Sequence, residues 1–170
     1  MLSHSSTALE KRRYNRRHDD ILASLYSFVT SHLHPGDHVT ADLPDVEYCF
    51  PLDVAITDKR PDLVIWSESS ICLVELTIPF EAGMDAAAER KQAKYEDLLA
   101  MCATSHSRAC LTTIEVGARG FINAASLDKL YGHLAPSTKK MRNELEKEIV
   151  RKCIMHSHEV WCKRNWKSDS

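Results

Sequence analysis

The sequence predicts an α/β fold, with a mixed β-sheet flanked by helices and a long C-terminal helix. Three observations carry this. Apolar residues recur at helical spacing over residues 9–33. Two apolar, strand-like runs follow at 62–66 and 71–78, separated by a short polar turn. A second helical pattern over 82–102 then leads into a further strand over 109–116.

At 170 residues the chain is sized for a single domain over 1–170, with a core over about 10–122 and C-terminal helices over about 126–165. Its 44% hydrophobic and 27% charged residues are those of a globular protein, and too apolar for a disordered tail. With 22 basic and 24 acidic side chains, the net charge of −2 gives no global attraction for nucleic acid, so any such partner must be held by local patches. No apolar run approaches the ~20 residues of a membrane span, and no apolar stretch follows the basic residues near the start. An intracellular protein that is neither inserted in a membrane nor secreted is therefore expected. The six cysteines, without a CxxC pair, read as reduced and mostly buried thiols.

The first helix ends at the breakers Pro35-Gly36. A step of ~100° per residue puts Tyr14, His18, Leu22, Leu25 and Val29 on one stripe, with Arg12, Arg16, Asp20 and Ser27 opposite. His18 is thus expected to point inward. Between 37 and 60 the most strand-like piece is 54–57. The run 62–66 is apolar on both faces, as a strand covered on both sides would be. In 71–78, Ile71, Leu73, Glu75 and Thr77 share one face, and Cys72, Val74, Leu76 and Ile78 the other. The second helix has Met84, Ala88, Lys91, Tyr95, Leu98, Leu99 and Cys102 on its apolar stripe, which places a lysine among core residues. Residues 117–120 read as a tight turn. Ser126 is placed to cap a short helix and Ser137 a long last one, docked through Trp161 and Trp166.

Two acids in core strands need an explanation. Asp62 opens one strand and Glu75 interrupts the next, and an unpaired buried carboxylate costs several kcal/mol. A hairpin of the two strands would bring both carboxylates together, where they could share a hard divalent ion, Mg²⁺ or Mn²⁺. Each has a plainer rival. Asp62 could pair with Arg60, Glu75 could form an ion pair with Lys91 that serves only structure, and His18 could be a hydrogen-bonded core histidine.

These residues resemble the PD-(D/E)XK nuclease superfamily. Pro61-Asp62 is similar to its PD element, and Glu75-Leu76-Thr77 to its (D/E)-x-K element with threonine in place of lysine. Lys91, on the inward face of the following helix, resembles the displaced lysine of some members. The cap-snatching endonucleases of segmented RNA viruses are similar in their inward histidine, here His18. The segments 17–19, 75–81, 89–95 and 115–120 also resemble a nuclease-like domain that accompanies reverse transcriptases in metazoan retroelements.

The resemblance implies a restriction-endonuclease-like core and metal-dependent phosphodiester cleavage. Asp62, Glu75 and Lys91 would be catalytic, and His18, Asp62, Glu75 and the Leu76 carbonyl would hold Mg²⁺ or Mn²⁺, the imidazole biasing the site toward Mn²⁺. DNA is placed ahead of RNA as substrate, with nuclear action if that DNA is genomic. The chain could form part of a larger polyprotein with a reverse transcriptase. A binding module that kept the fold and lost the chemistry is the alternative that Thr77 suggests.

Arg12, Arg13, Arg16 and Arg17, with Lys94 and Arg119, are candidate phosphate contacts, although such a basic run is usually a solvated face. The cluster Cys153, His156, His158 and Cys162 lacks the usual zinc spacings, and a helix would turn its two histidines ~160° apart.

Overall fold

The computed structural model describes residues 3–51, 54–79 and 83–165, and for 3–15, 84–85 and 163–165 the backbone alone. The elements run α1 (Ser3–Thr30), β1 (His38–Ala41), β2 (Leu63–Trp66), β3 (Ser70–Thr77), α2 (Met84–Ser105), β4 (Arg108–Glu115), α3 (Ala124–Tyr131) and α4 (Lys139–Asn165). The strands form one mixed sheet in the order β1-β2-β3-β4. β1/β2 and β2/β3 are antiparallel, whereas β3/β4 is parallel, with α2 as the connection between them. The expected α/β class, mixed sheet and long C-terminal helix are all present.

Strand alternation divides the core into two layers. Leu63, Ile65, Cys72, Val74 and Leu76 face α1, α3 and α4, where they meet Leu22, Leu25, Val29, Leu127, Leu130 and Ile149. Val64, Ile71 and Leu73 face the other way, against Tyr95, Leu98 and Cys102 of α2 and against Phe50 and Ala55. The apolar phases of both helices are those the sequence predicts.

Several local expectations are corrected. Residues 54–57 are not a strand; they form a loop with Ala55 buried under α2 and Ile56 90% exposed. The fourth strand is instead β1, whose half-polar HVTA has too weak an alternation to be read alone. Asn123, not Ser126, caps α3 by accepting from the Ala125 N–H at 3.2 Å. At α4, Thr138 Oγ1 accepts from the Met141 N–H at 3.2 Å, while the Ser137 hydroxyl accepts from Arg142 Nε at 2.8 Å. Trp161 is 62% exposed and does not dock the helix, and Trp166 lies outside the described residues. All six cysteines are free thiols; Cys72, Cys102 and Cys153 are buried, Cys110 is half-buried, and Cys49 and Cys162 are exposed. Among the described residues, no helix is long and apolar enough to cross a membrane.

Candidate active site

The β2–β3 hairpin builds the site. Its last regular pair is Leu63↔Val74, so Asp62 and Glu75 occupy the next position of the antiparallel register. Side chains at paired positions leave the same face of a sheet, which brings the two carboxylates together. They also lock the strands reciprocally: the Asp62 N–H donates to Glu75 Oε1 at 3.1 Å, and the Leu76 N–H donates to Asp62 Oδ2 at 2.7 Å.

Two helices complete the cluster from opposite layers. His18 of α1 puts Nε2 3.2 Å from Asp62 Oδ2, with its Nδ1 3.4 Å from Asp19 Oδ1. Lys91 of α2 forms an ion pair with Glu75 Oε2 and lies 3.9 Å from Asp62 Oδ2. Tyr95, one turn further along α2, donates its hydroxyl to the Arg60 carbonyl at 2.9 Å and so anchors the approach to Asp62.

Burial and charge act on these groups in opposite senses. Glu75 has no exposed surface, and burial, reinforced by the Asp62 charge, raises its carboxyl above the ordinary value despite Lys91. For Asp62, burial also pushes upward, but the bond and charge of His18, together with Lys91 and the Leu76 N–H, outweigh it and hold the group low. Burial pushes His18 down, yet Asp62 and then Asp19 raise it overall. The cluster is a half-buried group of two carboxylates, one imidazole and one ammonium, with Glu75 fully covered at its base.

Asp62, Glu75, His18, Lys91 and the Leu76 backbone are thus brought together. The plainer partner for Asp62 is absent, because Arg60 bonds Asp42 at 2.6 Å and covers the Tyr48 ring at 4.4 Å. The ion pair of Glu75 with Lys91 does form.

Among the described side chains, Arg17 and Lys94 bond other groups. Arg17 is buried, its guanidinium donating to Ser157 Oγ at 2.9 Å and to the Ile78 carbonyl at 3.2 Å; it ties α1 to α4 and to the end of β3, not to the surface. Arg16 is exposed in a groove that also contains Asp19 and Asp20. Arg12 and Arg13 lie in α1 with side chains outside the described residues. Lys94 is exposed, donates to the Tyr95 hydroxyl at 2.7 Å and sits over its ring at 4.5 Å. Arg119 is exposed in the turn after β4.

In the cluster 153–162, Cys162 Sγ lies 3.3 Å from His158 Nε2 at the exposed face of α4, while Cys153 and His156 turn to other partners. Cys153 donates to the Gly117 carbonyl at 3.3 Å, and His156 Nε2 is 2.8 Å from Asp20 Oδ2. Sequence reading missed a different grouping, Cys72, Cys110 and His133, whose ligand atoms all lie within 4.8 Å of one another. Residues so far apart in the chain leave no spacing motif to find.

No protein-family profile and no curated protein matches the chain. Among solved structures, a Toscana virus cap-snatching endonuclease is similar to it, with 21% identity and a TM-score of 0.44. The likeness covers 67% of this chain and 53% of that one, so the chain spans about half the length of that endonuclease.

Proposed function

We propose that the chain is a divalent-metal-dependent endonuclease that hydrolyses nucleic-acid phosphodiesters, with DNA as its substrate. One observation carries this reading: a buried and a half-buried carboxylate, an imidazole and an ammonium converge from α1, α2 and the end of the β2–β3 hairpin. The donor set fits a small, hard divalent ion. It offers carboxylate oxygens and one ring nitrogen, and the proton affinity of Glu75 is raised by burial beside another negative group, which a cation would offset. Asp62, Glu75, His18 and the Leu76 carbonyl would hold Mg²⁺ or Mn²⁺. When bound, such an ion polarises a phosphate and acidifies a water.

The chain's own groups do the positioning. The Leu76 N–H fixes Asp62 Oδ2, and the Asp62 N–H fixes Glu75 Oε1, so both carboxylates are preorganised by backbone. Lys91 supplies a positive charge beside them that can orient a nucleophile or offset phosphate charge. His18 is held by Asp62 on one nitrogen and approached by Asp19 on the other. The Lys91–Glu75 pair also favours a second reading, a silent nucleic-acid-binding module, because it satisfies both charges internally.

A cleavage assay separates these. Supercoiled plasmid DNA and single-stranded RNA are offered side by side with Mg²⁺, Mn²⁺ or chelator, to wild type and Glu75→Gln. Metal-dependent nicking of the plasmid that is lost in Glu75→Gln supports the proposal. Cleavage of RNA alone would reassign the substrate, and binding without cleavage would select the silent module.

A further inference from the structure

A second cluster lies at the sheet's edge, away from Asp62 and Glu75. β4 is the edge strand, and its parallel register sets Cys110 directly beside Cys72 of β3. Both side chains face the α1/α3/α4 layer. His133, just after α3, closes over them with Nε2 3.3 Å from Cys110 Sγ. Among the described residues, one sulfur from each cysteine and one nitrogen of His133 lie within 4.8 Å of each other. A cavity of about 550 Å³, lined in part by Asp37, Ser70 and Arg108, opens onto Cys110 and His133.

We propose that Cys72, Cys110 and His133 bind a Zn²⁺ ion as three protein ligands, with the fourth position open to this cavity and filled by water. Zinc bonds of ~2.3 Å to sulfur and ~2.0 Å to nitrogen in a tetrahedron set ligand atoms about 3.5–3.8 Å apart, a spacing this cluster reaches with shifts below about 1 Å. Two thiolates and an imidazole select a zinc-class ion over Mg²⁺ or Mn²⁺, so this site and the carboxylate site take different metals. Binding releases the protons of both thiols, and any on the liganding imidazole nitrogen, to solvent. The ion would staple the connection between α3 and α4 to β3 and β4.

The test uses the full reduced chain, stripped of metal and titrated with Co²⁺. The expected result is an intense sulfur-to-cobalt charge-transfer absorption at one equivalent, with tetrahedral visible bands, bleached by Zn²⁺. Zn²⁺ should also raise the melting temperature. Cys110→Ala should diminish or abolish both the charge-transfer and the tetrahedral bands and His133→Ala should lose the tetrahedral bands, while Asp62→Asn and Cys162→Ser keep both. If Cys110→Ala fails to fold, the half-exposed His133→Ala carries the test. The proposal is overturned by the absence of a charge-transfer band, by bands unchanged in both variants, or by a Cys72–Cys110 disulfide in protein kept under thiol.

Discussion

Glu75 has no exposed surface and a second carboxylate as its register neighbour, so substitutions there and at Asp62 should differ in kind. Asp62→Ala removes the acceptor of the buried Leu76 N–H and should cost about 1–3 kcal/mol in metal-free protein, read by urea unfolding in chelator. Glu75→Gln keeps an oxygen for the Asp62 N–H but takes from Lys91 its carboxylate partner, so its cost, about 1–3 kcal/mol, should come from the lost ion pair. Lys91 meets the carboxylates while Lys94 is turned to Tyr95, so Lys91→Ala should lower cleavage at least ~10²-fold and Lys94→Ala far less. Equal losses would remove Lys91 from its role. His18→Ala should weaken Mn²⁺ binding more than Mg²⁺ binding in parallel titrations, since imidazole suits the transition ion better. Lys91 and the two acids were legible because each rests on a local period, helical phase or strand register. Arg17 was not, because the partner that buries it, Ser157, lies 140 residues away on a helix whose docking no local pattern encodes.

Between elements, α1 and α4 meet along a polar seam. Lys152 bonds the Asp20 carbonyl at 3.0 Å and Glu148 at 3.1 Å, and His156 Nε2 is 2.8 Å from Asp20 Oδ2. Burial raises the Asp20 carboxyl, but the bonds from His156 and Lys152 outweigh it and leave the group below its ordinary 3.8. A depressed carboxyl stabilises the fold above its unfolded value and loses that contribution as pH falls through the folded one. Unfolding curves should therefore show a smaller loss of stability below about pH 4 in Asp20→Asn than in wild type. Gly120 provides a steric test of the same layer. Its φ is +92°, and a Cβ there would meet Val150 and Ile154 of α4 at 3.0–3.1 Å, whereas Gly36, at φ +89°, faces open space. Gly120→Ala should cost more than Gly36→Ala, for which about 1–2 kcal/mol of left-handed strain is expected. Equal melting temperatures would contradict this packing. The element order was readable from sequence because long helices and fully covered strands have strong periods; β1 was missed because four half-polar residues acquire their identity only by pairing with β2.

At the scale of the whole molecule, the sheet divides two apolar layers, and the candidate active site is where both layers reach the same hairpin end. His18 arrives with α1 and Lys91 with α2, so the four side chains assemble only in the complete fold. In the proposed site, Asp62 and Glu75 bind a hard divalent ion jointly. Calorimetric titration of Mn²⁺ into a His133→Ala parent protein, which disables the thiol site, and into Asp62→Ala and Glu75→Gln made in it tests this directly. Mn²⁺ should bind the parent protein and fail to bind either variant; binding that persists unchanged in Asp62→Ala and Glu75→Gln would contradict a shared site.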